Sequence, residues 1–398
     1  MKQCSVCIIG EDVPQSLLDS LYQNKEYVRE IFTTTPVKNA TALNISSANL
    51  ADQYNQMIDK ASSDYVLFLS PHNQLEEETL EEFAQIAQEY PDADIIYPNE
   101  ILKIGVEEEA KNYSDWYQKE LFLLPSLAIE DYLPQWGVLI KKESVQKLGG
   151  FEPQYNEHSW YAFIYKNLPN LRLKLSDLSF VEYFVHQSFI DTSYRSLLVR
   201  EIISIYPLQK IFTSLNWEKE AIALATANTL IGDRLAAYYD YFNAAKYYRN
   251  ALLAFHNQES LKKLLEAYYQ MGLFEEMENL LQTQEPLQDI YEQYSDKIQK
   301  TRDLIQEMEK AVQEGKAAQL LLASEDIAQF YQGAPLYNIL GVIYHIKKDL
   351  QTAYKFFYKA VTMNPLDNDI IHNLVNTAQE LHKEEEVIGL ITRLTKEV

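Results

Sequence analysis

A polar turn that directly follows an apolar segment is the part of the chain best suited to chemistry. The apolar residues Tyr65–Leu69 predict a buried strand, and Ser70, Pro71, His72 and Asn73 come immediately after it. Open α/β sheets bind ligands outside the carboxyl ends of such strands. We therefore expect Ser70, His72 and Asn73 to line a ligand site, where the imidazole of His72 is a candidate metal ligand.

An acid-rich segment follows this turn and is a second candidate for metal binding. It contains Glu76, Glu77, Glu78, Glu81 and Glu82. The helix dipole favours acids in a first turn, so we interpret these residues as the solvated start of a helix rather than as metal ligands.

The two cysteines, Cys4 and Cys7, have a spacing that also occurs in zinc and redox sites. Both lie in a segment that predicts a strand, where an odd spacing sends the two side chains to opposite faces. The sequence has no second pair of cysteines to complete a tetrahedral zinc site. We therefore expect Cys4 and Cys7 to be buried core thiols.

The elements that must position these residues alternate between short apolar segments and helical stretches up to about residue 200. This alternation predicts a mostly parallel sheet flanked by helices. The predicted strands are Ser5–Ile9, Tyr27–Thr33, Tyr65–Leu69, Asp94–Tyr97 and Gly137–Ile140. The predicted helices include Pro14–Gln23 and Ala48–Ala61, the second with Leu50, Tyr54, Met57 and Ile58 on one face.

The second half of the chain, from about Leu215, reads as successive helices with a period of about 34 residues. Its clearest copy resembles the tetratricopeptide (TPR) pattern through Tyr337, Leu340, Gly341, Tyr344, Ala353, Phe357, Ala360 and Pro365. Weaker copies contain Gly232 with Tyr248, and Tyr268 with Gly272. We predict an α/β domain over residues 1–208, followed by an all-α TPR solenoid over residues 209–398.

The first half resembles the family 2 glycosyltransferases of the GT-A fold, over roughly residues 4 to 205. The resemblance is carried by the order and spacing of Ser5–Asp12, Arg29–Thr35, Ser47–Asn55, Ser63–Leu69, Gly137–Glu143 and Leu148–Phe151. It implies a Rossmann-like, nucleotide-diphospho-sugar transferase domain. A hexosyltransferase that uses a nucleotide sugar is therefore the activity that the resemblance implies.

This family places an Asp-x-Asp element after the strand that corresponds to Tyr65–Leu69, and its carboxylates hold Mn²⁺ or Mg²⁺ against the donor diphosphate. Ser70 and His72 stand in those two places, with Asn73 next. A hydroxyl and a neutral imidazole supply no charge to a hard cation, so the Mn²⁺ or Mg²⁺ cofactor that the resemblance implies lacks both of its acids.

The resemblance also places Ile9, Gly10, Thr34 and Thr35 at the donor nucleotide, although the family tends to carry acids near the threonines. Lys and Arg can replace a cation at a diphosphate. The basic residues nearest to the predicted strand ends are in the segment Lys141–Lys142.

On the acceptor side, the family carries Glu-Asp about seven residues after the Gly-Gly-Phe turn, and one of these acids is the catalytic base. Here the residues are Glu157 and His158, and either is a candidate base. Alternatively, Glu157 caps the helix that begins at Ser159. His186 falls where many members keep a histidine near the phosphates, which makes it a weak metal candidate; a core histidine is the alternative.

Composition narrows the partners. The chain has 398 residues and a formal net charge of -23, which opposes binding to nucleic acid or to an anionic membrane. It contains no apolar stretch of the length of a membrane span. We expect a cytoplasmic protein.

Two functions follow. The first is transfer of a sugar from a nucleotide sugar to an acceptor, with a protein or peptide presented by the TPR groove. The alternative is an inactive pseudo-glycosyltransferase that acts as a TPR-based binding or scaffold partner of an active transferase. Loss of the Asp-x-Asp acids is what the alternative predicts.

Overall fold

The computed structural model describes residues 3–43, 45, 47–76, 78–104, 107–111, 134–184, 191–284, 286–322 and 324–398. The chain divides into two compact units, Met1–Ile190 and Asp191–Val398. The first is the α/β unit and the second is the helical unit. The architecture predicted from the sequence, an α/β domain followed by an all-helical region, is confirmed. The helical unit begins before the predicted boundary at residues 208/209.

The α/β unit is built on one sheet, which has nine strands among the described residues. The strands are β1 (Cys4–Ile8), β2 (Val28–Thr33), β3 (Thr41–Ala42), β4 (Tyr65–Leu69), β5 (Asn73–Leu75), β6 (Ile95–Ile104), β7 (Glu107–Lys111), β8 (Val138–Lys141) and β9 (Leu173–Phe184). Their order is β3-β2-β1-β4-β8-β6-β9-β5, and β7 pairs with β6. The described α-helices are α1 (Gln15–Gln23), α2 (Leu50–Lys60), α3 (Thr79–Glu89), α4 (Lys142–Lys147) and α5 (Ser159–Asn167).

The sheet is mixed, so the prediction of a mostly parallel sheet was wrong. Strands β3, β2, β1 and β4 are parallel to one another, as the β-α-β alternation predicts, and β6 is parallel to β9. Strand β8 runs antiparallel to both β4 and β6, and β5 runs antiparallel to β9. The direction of a short strand leaves no mark in its apolar pattern, so these pairings were not readable from the sequence.

The core of the α/β unit lies on both faces of β1 and β4, whose residues are all buried. Helix α2 buries Ala51, Tyr54, Met57 and Ile58 because these residues share one helical face. Cys4 and Cys7 are buried free thiols, as predicted. Burial raises the pKa of Cys4 to about 12 and that of Cys7 well above its ordinary value, so neither thiol forms a thiolate readily.

The helical unit contains thirteen described α-helices. They are α6 (Ser193–Ile205), α7 (Leu208–Ile211), α8 (Glu220–Ala237), α9 (Tyr241–Ala254), α10 (Gln258–Met271), α11 (Phe274–Thr283), α12 (Gln288–Gln313), α13 (Ala317–Leu322), α14 (Ser324–Phe330), α15 (Ala334–Ile346), α16 (Leu350–Met363), α17 (Asn368–Leu381) and α18 (Glu384–Thr395). Among the described residues, no helix is both long and apolar enough to cross a membrane.

Two helix pairs use the same small-to-aromatic contact. A Cβ atom on Gly232 of α8 would lie 2.5 Å from the ring of Tyr248 on α9, and a Cβ atom on Gly341 of α15 would lie 2.5 Å from the ring of Phe357 on α16. Each glycine therefore allows a neighbouring aromatic ring to pack against the helix backbone. The repeat pattern predicts this close packing, because its small residues let paired helices approach each other.

The first and last helices of the helical unit contact each other. Arg200 of α6 donates hydrogen bonds to the carbonyls of Arg393 and Lys396, at 2.5 Å and 2.7 Å. Asn243 Nδ2 of α9 donates to the carbonyl of Leu394 at 2.8 Å. In an extended solenoid each repeat contacts only its neighbours, so these contacts close the unit on itself.

Candidate functional site

The carboxyl ends of β1, β2 and β4 meet at one edge of the sheet. The chain leaves β1 toward β2 and returns on the other side at β4, so the crevice between β1 and β4 is the topological switch point where α/β sheets bind ligands. The amide of Ile9 donates to the carbonyl of Leu69 at 2.9 Å, and the amide of Thr34 donates to the carbonyl of Ile8 at 3.3 Å. The predicted donor-side residues are therefore brought together.

Thr34 and Gly10 are joined by two hydrogen bonds. The Thr34 hydroxyl accepts from the Gly10 amide at 3.0 Å and donates to the Gly10 carbonyl at 2.9 Å. Thr35 Oγ1 also approaches that carbonyl, at 3.5 Å. The threonines therefore fix the loop after β1, and the hydroxyl of Thr34 has little capacity left for a ligand.

Gly10 also lies against the turn that follows β4. Its φ of 142° is in the region that favours glycine, and a Cβ atom there would lie 2.6 Å from Cδ of Pro71. The ring of Pro71 thus packs directly on the backbone at the mouth of the β1–β4 crevice. This contact leaves less room for a ligand at the position where the sequence predicts the diphosphate of a donor.

The turn Ser70–Asn73 is closed by its own hydrogen bonds. Asn73 Oδ1 accepts from the Ser70 amide at 2.8 Å and from Ser70 Oγ at 3.1 Å, and Ser70 Oγ accepts from the His72 amide at 3.2 Å. The side chains of Ser70 and Asn73 are buried, at 5% and 2% exposure, whereas His72 is half-buried. We predicted that Ser70 and Asn73 line a ligand site; in the structure both side chains are buried and bond to each other.

These residues do not fit the Mn²⁺ or Mg²⁺ ion that the Asp-x-Asp element would hold. Such hard cations need several oxygen ligands, and the two available oxygens, Ser70 Oγ and Asn73 Oδ1, already bond within the turn. Within the described ranges, no cluster of three His, Cys, Asp or Glu side chains has the arrangement of a metal site. The other metal candidate, His186, lies outside the described residues.

The acceptor-side segment, residues 151–158, is fastened to helix α2 by three asparagines. Asn55 accepts from the amide of Phe151 at 2.9 Å and donates to its carbonyl at 2.8 Å. Asn49 Nδ2 donates to the carbonyl of Pro153 at 2.8 Å, and Asn156 Oδ1 accepts from the amide of Leu50 at 3.1 Å. The segment is therefore held at both of its ends.

Glycine is required at the start of this segment. Gly150 has a φ of 78°, and a Cβ atom on it would lie 2.8 Å from Oδ1 of Asn55. At the other end, Asn156 has a φ of 44° and a ψ of -113°, a strained conformation for a residue with a side chain. The backbone directly before Glu157 is thus held in an unusual conformation by the surrounding contacts.

Glu157 and His158 differ in exposure. Both belong to the 3-10 helix Pro153–His158 that precedes α5. Glu157 is exposed, whereas His158 is 4% exposed. His158 rather than Glu157 occupies the N-cap position of α5, so the interpretation of Glu157 as the cap is not supported. Of the two candidate side chains, only Glu157 is exposed to solvent.

Gln135 joins the two parts of the site. Its Nε2 donates to the carbonyl of Glu157 at 3.3 Å and to the hydroxyl of Tyr54 at 3.0 Å. Two residues later, the amide of Gly137 donates at 2.8 Å to the carbonyl of Phe68, two residues before Ser70. The acceptor-side and donor-side segments therefore lie at the same edge of the sheet.

Tyr54 is a structural partner rather than an acid in this arrangement. Burial raises the pKa of its hydroxyl far above the ordinary value, and the hydrogen bond from Gln135 only partly offsets this rise. Its ring packs against Phe68, Trp136 and Phe151, with centroids 4.6 to 5.8 Å apart. Tyr54 therefore stays protonated and supports the wall between the two segments.

The two lysines lie at the opposite edge of the sheet from the Ser70 turn. Because β8 runs antiparallel to β4, Lys141 pairs with Tyr65, at the beginning of β4. The ammonium groups of Lys141 and Lys142 donate to the carbonyls of Pro91 and Ala61, at 2.9 Å and 2.8 Å. Lys141 and Lys142 were predicted as the basic residues nearest to the site at the strand ends, and the structure places them away from the Ser70 turn.

Sequence reasoning missed Gln135 and Asn156. Asn49 and Asn55 were part of the resemblance, but their role in holding residues 151–158 is visible only in the fold. No periodicity or motif marks Gln135 or Asn156, because each acts on a backbone group far away in the sequence.

No family model matches the chain, and no curated protein matches it. Among solved structures, S. aureus TarS 1-349 matches over 75% of this chain and 92% of that chain, with 12% sequence identity and a TM-score of 0.41. TarS 1-349 in complex with UDP-GlcNAc matches over the same shares, with 13% identity and a TM-score of 0.42. Its complex with UDP matches over 64% and 89%, with 13% identity and a TM-score of 0.38. At these scores and identities the likeness is too weak to indicate a function for this chain.

Proposed function

We propose that this chain is a glycosyltransferase that binds a nucleotide sugar at the carboxyl edge of its sheet and transfers the sugar to a protein or peptide held by the helical unit. The observation that supports this proposal is that the donor-side and acceptor-side segments lie at the same edge of the sheet. Gly10, Thr34 and the Ser70 turn lie there at the switch point, and Gln135 brings the Glu157 backbone to the same edge.

The chemistry that we propose uses Glu157 as the base. An inverting transfer needs one group near the acceptor oxygen, on the face opposite the leaving diphosphate. Glu157 is exposed and its backbone is fixed by Gln135, so its carboxylate is suited to take the proton of an acceptor hydroxyl. Because the Ser70 turn does not fit Mn²⁺ or Mg²⁺, no step is assigned to a metal ion.

A second candidate function is a non-catalytic binding module. The closed Ser70–Asn73 turn and the contact of Pro71 with Gly10 favour this alternative, because both occupy the place where a donor diphosphate would lie. In this alternative, the helical unit recruits a client, or it pairs with an active transferase. Both proposals assume that the helices of the second unit are TPR repeats.

Release of nucleotide from a panel of nucleotide sugars separates the two candidates. We expect release that Glu157→Gln reduces by roughly 100-fold or more and that His158→Ala leaves within a few-fold of the original. The reverse result would make His158 the base. No release from any donor would favour the binding module.

A further inference from the structure

A cavity of about 340 Å³ opens in the helical unit between α8, α10 and the residues that follow α9. Its apolar wall consists of Ile222 and Leu230 of α8 and of Phe255, whose side chains are 45%, 40% and 45% exposed. Single exposed apolar residues are common on protein surfaces, and here three of them line one cavity. The volume falls at the low end of the range for ligand pockets.

The hydroxyl and amide groups that line this cavity already have partners. Thr226 and Thr229 each donate to a carbonyl one turn earlier in α8, at 2.9 Å, and Thr229 also contacts the hydroxyl of Ser260 at 3.0 Å. Asn257 caps α10 by accepting from the Ser260 amide at 2.8 Å. These neutral polar groups therefore offer few hydrogen bonds to a ligand, and the exposed apolar residues of the cavity favour an apolar side chain.

The charge at the cavity is negative. Its lining includes the carboxylates of Asp233 and Glu259, and none of the described residues that line it is Lys or Arg. Lys263 pairs with Asp233 at 2.6 Å, whereas the exposed Glu259 forms no ion pair with any residue that the structure describes. The chain as a whole carries a formal net charge of -23. Both features attract a cationic partner.

Two further exposed apolar side chains lie at the start of the next helix, α12. The side chain of Gln258 accepts a hydrogen bond from the amide of Leu287 at 3.2 Å, which holds Leu287 next to α10. Leu287 and Tyr291, at the start of α12, are exposed.

We propose that this cavity binds a peptide segment in which a large aliphatic or aromatic side chain lies next to lysine or arginine. The apolar side chain enters between Ile222, Leu230 and Phe255, and the cation pairs with Glu259. This inference rests on the proposed function, in which the helical unit holds a peptide, and it assigns the position and chemistry of that peptide.

Fluorescence anisotropy with the full-length chain tests the proposal without any nucleotide sugar. The probes are three labelled peptides of equal length: Leu and Phe flanked by Lys, the same Leu and Phe flanked by Glu, and Lys with Ser in place of Leu and Phe. We expect only the first to bind, and we expect Leu230→Asp to weaken its binding by roughly tenfold or more. Ile388→Asp, at an exposed position on α18, is the matched control and should leave binding within about twofold of the original.

Reversing the charge of Glu259 distinguishes a loss of peptide binding from a loss of folding. Glu259→Lys should weaken the Lys-flanked peptide and create binding of the Glu-flanked peptide, which an unfolded variant does not do. Binding of none of the peptides, equal binding of all three, or equal loss in Leu230→Asp and Ile388→Asp would overturn the inference. Because no donor is present, these outcomes are separate from failure of sugar transfer.

Discussion

Asn55 satisfies both backbone groups of Phe151, because its Oδ1 accepts from the Phe151 amide and its Nδ2 donates to the Phe151 carbonyl. Phe151 is 2% exposed, so removal of this side chain leaves two buried backbone groups without a partner. We expect Asn55→Leu to lower the free energy of unfolding by about 3 kcal/mol, as measured by urea denaturation.

The matched control for Asn55 is Gln154→Leu in the same segment. Gln154 is exposed and its amide contacts only the side chain of Glu152 among the described hydrogen bonds, at 2.9 Å. Its replacement should change the free energy of unfolding by about 0.5 kcal/mol or less. Equal effects of the two substitutions would show that Asn55 does not hold the segment.

Restoring acids at the Asp-x-Asp positions should not restore a cation site. Ser70→Asp places a carboxylate at a buried position that faces Asn73 Oδ1, and we expect a loss of about 2 kcal/mol or more in the free energy of unfolding. His72→Asp, at a half-buried position, should cost less. Thermal denaturation of the single and double variants with and without Mn²⁺ checks this. Strong Mn²⁺-dependent stabilisation of the double variant would show that the turn opens to accept a metal.

The contact between Gly341 of α15 and the ring of Phe357 on α16 predicts a change in stability opposite to the one that helix propensity predicts. Alanine is the better helix former by about 1 kcal/mol, yet Gly341→Ala should lower stability by about 1 to 2 kcal/mol because the new methyl group meets the ring of Phe357. Phe357→Leu in the same chain should recover part of this loss, which a double-mutant cycle measures.

Gly389→Ala on α18 is the control for this contact. Its new methyl group would meet Nη1 of Arg393 at 2.9 Å, and the guanidinium can shift only in part because Ser193 and Asp191 bind its other two nitrogens. We expect a smaller loss of stability than in Gly341→Ala. A gain in both glycine variants would mean that Phe357 does not pack on Gly341.

The carboxylate of Asp240 predicts a specific pH dependence. Burial raises the pKa of Asp240 above its ordinary value, and the charge of Arg200 and hydrogen bonds from Ser196 and Asn243 only partly oppose this rise. The folded chain therefore binds this proton more tightly than the unfolded chain. Its contribution to stability is largest below the unfolded pKa of about 3.9 and is lost as pH rises through the folded pKa.

Asp240→Asn removes this contribution. Free energies of unfolding from urea titrations at successive pH values above 4 should fall less steeply with rising pH in Asp240→Asn than in the original chain. Asp349→Asn is the control, since Asp349 caps α16 as Asp240 caps α9 but is exposed. A slope that is unchanged by Asp240→Asn would contradict the assignment.

Strand boundaries, helix faces and helix–helix contacts could be predicted from the sequence where a single strong residue pattern determines them. The apolar run Tyr65–Leu69 is strand β4 without a change of boundary, and Gly341 and Phe357 meet as the repeat pattern predicts. Helix α2 buries Tyr54, Met57 and Ile58 from the predicted face.

Features that depend on direction or on long-range hydrogen bonds were not readable. The antiparallel course of β8, which carries Lys141 to the far edge, has no signature in its three apolar residues. The mutual bonds of Ser70 and Asn73 also depend on side-chain orientation rather than residue type. From its sequence alone, the turn Ser70–Asn73 is consistent with a ligand site. The structure shows a turn that is closed by its own hydrogen bonds.

Binding of a nucleotide sugar to the full-length chain is the most direct test of the proposed transferase. Unfolding is measured with a panel of nucleotide sugars in the presence of a chelator, of Mn²⁺ and of Mg²⁺. We expect at least one donor to stabilise the chain by about 2.7 kcal/mol at about one hundred times its dissociation constant, and to do so equally with the chelator. Stabilisation by no donor under any of the three conditions would contradict the proposal that this edge of the sheet binds a nucleotide sugar.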